Sequence, residues 1–60
     1  RRERQVLEAV LDNLSNKEIA RRLHMSERTA KFHVSNLLGK HGVKRRSDLI
    51  LLSFAERKHA

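Results

Sequence analysis

Between Ser15 and Asn36 the sequence SNKEIARRLHMSERTAKFHVSN places basic, hydroxyl and amide side chains at helical spacing beside an apolar stripe. At about 100° per residue from Ala30, Val34, Leu37 and His41 lie within about 40° of the origin and Leu38 at about 80°, which defines a core face. The other side carries Lys31 at about 100°, Ser35 at about 140°, Arg28 at about 160°, Gly39 at about 180°, Phe32 at about 200°, Asn36 at about 240° and Thr29 at about 260°. No nucleophile, base and orienting acid can be assigned together, so the chemistry these groups offer is recognition and the chain is not expected to be an enzyme. Lys31 can donate to guanine O6 and N7, Ser35 can donate or accept at either kind of base edge, and Phe32 can cover a thymine methyl. An exposed phenyl ring forgoes ~1.5 to 3 kcal/mol of burial that a partner surface would recover. Lys31, Phe32 and Ser35 are therefore the expected base contacts. Arg28, Thr29 and Asn36 flank them, and Asn16 and Lys17 open the preceding helix, where the positive end of the macrodipole also favours an anion; these five are the expected phosphate contacts. The competing reading of Lys31 and Arg28 is a solvated face with Glu27 paired to Lys31 at i, i+4. For His33, at about 300° on the same wheel, packing competes with a phosphate contact.

These side chains need helices to hold them. Val6, Leu7, Val10, Leu11 and Leu14 follow the spacing of an amphipathic first helix, with Arg4 and Glu8 an i, i+4 pair on its outer side. Ser15 over Glu18 forms a capping box and Leu14 with Ile19 a hydrophobic staple, so a second helix starts there and buries Ile19, Ala20 and Leu23. Ser26 is an N-cap for the third helix and Met25 with Ala30 repeats the staple, leaving His24 and Met25 as the turn. That turn asks His24 to accept a positive φ, which histidine does more readily than most residues. The third helix is expected to reach about His41, with Gly42 left-handed at C′ and Val43 folding back. Ser47 is then a candidate N-cap, with Asp48 in the first turn of a fourth helix over about 48–58. The expected fold is all-α, a compact four-helix bundle with a helix-turn-helix whose third helix is the recognition helix.

The net charge of +7 lies wholly in residues 13–46, where nine Lys or Arg face two acids, while both flanking segments balance to zero. Solubility explains a basic surface but not its concentration on the reading unit, which suits a polyanion. The chain has no cysteine, and its four histidines never fall three to five apart, so no disulfide, metal site or cofactor is expected. No apolar run nears the roughly 18 to 20 residues of a membrane span, and the N-terminus lacks a secretion signal, so a cytoplasmic protein is expected.

The whole pattern resembles the LuxR-type (FixJ or GerE type) helix-turn-helix family, the DNA-binding output domain of many bacterial response regulators and quorum-sensing regulators. Arg2-Glu3-Arg4-Gln5-Val6-Leu7 is similar to the family's opening, Ser15 to Ala20 to its second helix, and Ser26 to Asn36 to its recognition segment, with Gly42-Val43 and Arg46 in its closing turn. The resemblance implies that Lys31, Phe32 and Ser35 approach bases. It also implies three departures. Ala30 stands where Val or Ile is usual, Asn13 where Gly is common and His41 where Leu is common, so a thinner core around the third helix is expected. The family's usual Leu-Thr before the first helix is absent, and residues 1–60 are read as one domain of a longer regulator whose receiver or sensory domain lies N-terminal.

The nearest alternative is region four of a bacterial sigma factor, which has a similar Glu-Ile-Ala helix; a cationic RNA-binding or membrane-surface module is the other. The fourth helix separates the first pair. Leu49, Ile50, Leu51, Leu52, Phe54 and Ala55 spread around most of it, more apolar surface than one small core can cover, which fits a second subunit. Leu49, Leu52 and Ser53 are the expected homodimer contacts. RNA would call for stacking aromatics beyond a lone Phe32, and a membrane surface for basic and apolar faces on one continuous helix. The expected partners are double-stranded DNA and a second copy of the chain, with no membrane.

Overall fold

A computed structural model describes residues 2–59. They form α1 (Arg2–Leu11), α2 (Asn16–Leu23), α3 (Glu27–Lys40) and α4 (Arg46–His59), with no strand among the described residues. Helix α3 packs on both α1 and α2, and α4 packs on α1. Val6, Ala9 and Val10 of α1, Ile19 and Ala20 of α2, Ala30, Val34 and Leu37 of α3 and Leu49 of α4 make one core. The face expected for α3 is the face it buries. Leu38 packs on the core edge, and His41, half-buried, directs Nδ1 at the Leu37 carbonyl oxygen at 3.0 Å. Ala30 is fully enclosed despite its small size.

Both serine starts form. Ser15 Oγ accepts from the Glu18 backbone N–H at 3.2 Å while Glu18 Oε1 accepts from the Ser15 N–H at 2.9 Å, the reciprocal pair of a capping box. At α3, Ser26 Oγ accepts from the Thr29 N–H at 3.1 Å and lies 2.8 Å from Thr29 Oγ1.

The first three helices end alike, in a left-handed residue followed by an N–H that reaches back five positions. Asn13 (φ 63°), His24 (φ 56°) and Gly42 (φ 68°) hold the left-handed places. Leu14, Met25 and Val43 then donate to the carbonyls of Ala9, Ala20 and Leu38 at 3.1, 2.9 and 3.0 Å. His24 and Gly42 behave as expected. Asn13 was not expected to: the apolar spacing runs on through Leu14, but α1 stops at Leu11 and Leu14 packs on the core from the turn. The asparagine side chain tolerates the left-handed region well enough to serve where glycine is commoner.

The start of α4 differs from expectation. Ser47 is not its N-cap but its second residue, exposed, and the first backbone bond of the helix runs from Leu49 N–H to Arg45 O at 3.2 Å. Leu49, expected at a dimer surface, is only 1% exposed and belongs to this domain's core. The helix therefore turns its excess apolar surface through Leu51 and Phe54, which are 66% and 65% exposed.

Replacing His24 by Gly should raise stability by up to about 1 kcal/mol, because an L-residue pays for the left-handed conformation, whereas Gly42→Ala should lower it by about as much or more. Urea midpoints at unchanged m-value check both. The bond from the Ser15 N–H, and after it the serine hydroxyl, holds the Glu18 carboxyl below its ordinary value. A depressed folded-state pKa contributes stability above the unfolded value that is lost as pH falls through the folded value. Glu18→Gln keeps a carbonyl acceptor and should flatten part of the fall in melting temperature below about pH 4.5.

Candidate nucleic-acid interface

The N-terminal half of α3 is exposed almost all round its non-core side. Arg28, Thr29, Lys31, Phe32, Ser35 and Asn36 are all exposed, and Phe32 is open over 62% of its surface. The nearby His33 ring meets Phe32 edge-on, with centroids 6.0 Å apart and planes at 67°, and is half-buried, in keeping with packing. Lys31 makes no ion pair with Glu27; among the described residues the pairs are Arg4–Glu8, Arg22–Asp12 and Lys40–Glu3. The structure thus brings Lys31, Phe32 and Ser35 onto one face with Arg28, Thr29 and Asn36 beside them. Thr29 has its backbone N–H and hydroxyl oxygen engaged by Ser26, which fixes the first turn of α3 on which Arg28 stands.

Asn16 and Lys17 are the first two residues of α2, the helix packed on α3. Lys17 is exposed; Asn16 is half-buried because Arg46, the first residue of α4, reaches across to it. One Arg46 nitrogen donates to the Leu14 carbonyl and the other to Asn16 Oδ1. The guanidinium therefore ties the α1–α2 turn to the start of α4, and it leaves the Asn16 amide nitrogen as the group free to donate outward. No local pattern marks this bridge. Arg46 lies 30 residues from Asn16, and the only sign of it in the sequence is a basic run, Lys44-Arg45-Arg46, that does not say which member turns inward.

Not every cation is available to a partner. Lys40 donates to Glu3 at 2.8 Å, and that bond, with the attraction of the ammonium, holds the Glu3 carboxyl below its ordinary value. Arg22 lies 3.8 Å from Asp12, and Arg46 is engaged as above. Lys17, Arg21, Arg28, Lys31, Lys44 and Arg45 are exposed and have no acid within ion-pair distance among the described residues. The described residues hold no cluster of His, Asp or Glu with metal-binding geometry.

The family model described as "Bacterial regulatory proteins, luxR family" matches residues 1–53. The chain belongs to the luxR family of bacterial regulatory proteins. It is 49% identical over 53 residues to "Uncharacterized transcriptional regulatory protein YhcZ" of Bacillus subtilis, covering 88% of this chain and 25% of that one. It is 43% identical over 51 residues to the spore germination protein GerE of the same organism, covering 85% of this chain and 69% of GerE. Over 56 residues it is 43% identical to the nitrate/nitrite response regulator protein NarP of Escherichia coli, covering 93% of this chain and 26% of NarP. The chain thus spans about a quarter of the length of YhcZ and NarP. No solved structure gives a significant match. Asn13, before the second helix, holds a φ of 63°, a left-handed conformation that favours glycine.

Arg46→Ala should cost about 1 to 3 kcal/mol in urea unfolding, since it strands a carbonyl and an amide oxygen that shared a charged donor. Phe32→Ala, on an open face, should change stability by less than about 0.5 kcal/mol. The two results together would separate the residue that holds the interface from one that only presents it.

Proposed function

We propose that this chain binds double-stranded DNA sequence-specifically through α3 and serves as the output domain of a bacterial transcription regulator of the response-regulator or quorum-sensing type. The observation that carries the proposal is the exposed face of α3, where Lys31, Phe32 and Ser35 stand together, Lys31 without an ion pair among the described residues and Phe32 touched only at its edge by His33. A helix about 10 to 12 Å across fits a major groove about 12 Å wide, and its N-terminal half is the part that reaches base edges. Lys31, Phe32 and Ser35 read bases; Asn16, Lys17, Arg28, Thr29 and Asn36 fix register on the phosphates. Binding of this kind needs neither cofactor nor catalysis. The names of the relatives, a transcriptional regulatory protein and a response regulator among them, support the reading. So does their length outside the matched segment, which agrees with residues 1–60 being the DNA-binding unit of a regulator that also has a receiver or sensory domain. Such a regulator works in the cytoplasm; no helix among the described residues is long and apolar enough to cross a membrane.

Homodimerisation through α4 belongs to the same proposal. Leu51 and Phe54 are exposed, half-buried Leu52 and Ser53 adjoin them, and Leu49 contributes from beneath as core. A face this small gives little affinity after the cost of association, so DNA holds the pair together. An unpaired α4 face of this kind favours the two-copy regulator over a sigma-factor module, which acts within a polymerase.

Selection of bound sites from random duplexes should return two half-sites with centres about 10 to 10.5 base pairs apart, or a multiple. On the selected site Lys31→Ala should cost about 1 to 3 kcal/mol, with a smaller loss on random DNA, and Phe32→Ala should relax preference at one base step. With Lys31 on a base and up to five free cations on phosphates, the log–log salt slope should reach about −4.5, and Lys17→Ala should reduce its magnitude by about one for all sequences alike. A flat salt response removes the nucleic-acid reading. Leu51→Glu should abolish cooperative binding to paired half-sites and keep helical content; cooperativity surviving in both Leu51→Glu and Phe54→Glu removes the dimer.

A further inference from the structure

The two glycines, Gly39 and Gly42, are glycine for different reasons. Gly42, at φ 68°, supplies the left-handed residue that ends α3. Gly39 lies within the helix, and a Cβ placed on it meets no atom within 4 Å. Nothing inside the domain requires a glycine there, and glycine in a helix is less stable than alanine. Its surroundings are kept open as well, because the long side chain of the next residue, Lys40, is drawn back to Glu3 at 2.8 Å.

Gly39 is exposed, one turn beyond Ser35 and two beyond Phe32 on the same side of α3. Two turns advance the helix by about 10 Å, and a recognition helix contacts base edges with its N-terminal residues, so by residue 39 this face has moved away from the bases toward the wall of the groove. A helix that reads base edges with Lys31, Phe32 and Ser35 therefore reaches the border of the groove by residue 39. The next surface it meets is a sugar–phosphate strand.

We propose that Gly39 is a clearance point, where the missing side chain lets the backbone of α3 pass against the DNA strand bordering the groove and so sets how deeply the reading residues enter. This rests on the DNA-binding proposal and adds to it a position that contributes by having no side chain. It predicts opposite signs for stability and binding. Gly39→Ala and Gly39→Gln both suit a helix, and with open space around residue 39 both should fold.

The test compares the parent chain with both variants on the duplex selected by the parent and on a random-sequence duplex of equal length, with melting temperatures measured alongside. Gly39→Ala should melt about 4 °C higher than the parent, within the range that helix propensity gives a domain of this size. Its affinity for the selected duplex should fall about tenfold, as part of the base readout is lost when the helix stands off, and Gly39→Gln should bind less tightly still. Loss on the random duplex should be smaller. If both variants bind the selected duplex as tightly as the parent or more so, Gly39 faces solvent and the clearance proposal is wrong. If the parent itself binds no duplex, the DNA-binding proposal fails and takes this one with it.

Discussion

Each of the first three helices is stopped by one left-handed residue whose successor bonds back to the helix it has just left, and the placing of every functional group depends on that device. The connections are short, there is no proline, and a 60-residue chain buries only about 60% of the surface its unfolded form exposes. A core this small cannot by itself dictate the angles between helices. The bonds from Leu14 to Ala9, Met25 to Ala20 and Val43 to Leu38 therefore specify where each helix ends, and the serine caps at Ser15 and Ser26 specify where the next begins. Between Leu23 and Glu27 both kinds of signal act within three residues, so α3 leaves α2 in one direction. The face carrying Lys31, Phe32 and Ser35 is aimed by that turn.

The cations divide along the same lines as the elements. Arg46 closes the domain from the far end of the chain, Lys40 draws the end of α3 toward α1, and Arg2 donates to the Leu23 carbonyl at the end of α2 at 3.3 Å. These groups serve the fold. The exposed cations on the first half of α3, at the start of α2 and in the α3–α4 turn have no such commitment, so the excess of charge that composition reports is larger than the charge a polyanion can use. Screening by salt acts on the second group far more than on the partly buried Arg46, which separates holding the interface from using it.

How much of this was legible depended on range. The capping box, the staple, the left-handed His24 and the core face of α3 each rest on residues within one helix or one turn, and all were readable. The stop at Asn13 was hidden because Leu14 keeps the helical period while packing from a turn. Ser47 offered a plausible cap, but Arg46 is held by groups 30 and 32 residues away, and its anchoring starts α4 earlier. Leu49 is buried while Leu51 and Phe54 stay outside, so the apolar excess of α4 was visible in the sequence while its orientation was not. Lys31, Phe32 and Ser35 stand on the open face the helical period assigned to them, and Asn16 has its carbonyl oxygen taken by Arg46 in a way no local pattern could show.

The central claim is that the exposed face of α3, with the start of α2 beside it, is the surface that meets DNA. Amide chemical-shift mapping of the chain during titration with its selected duplex tests this most directly. Large shifts should concentrate at residues 16–17 and 28–36, with the outward face of α1 around Arg4 and Glu8 nearly unmoved. Shifts centred on α1 or on Leu51 and Phe54, with residues 28–36 unchanged, would contradict the account.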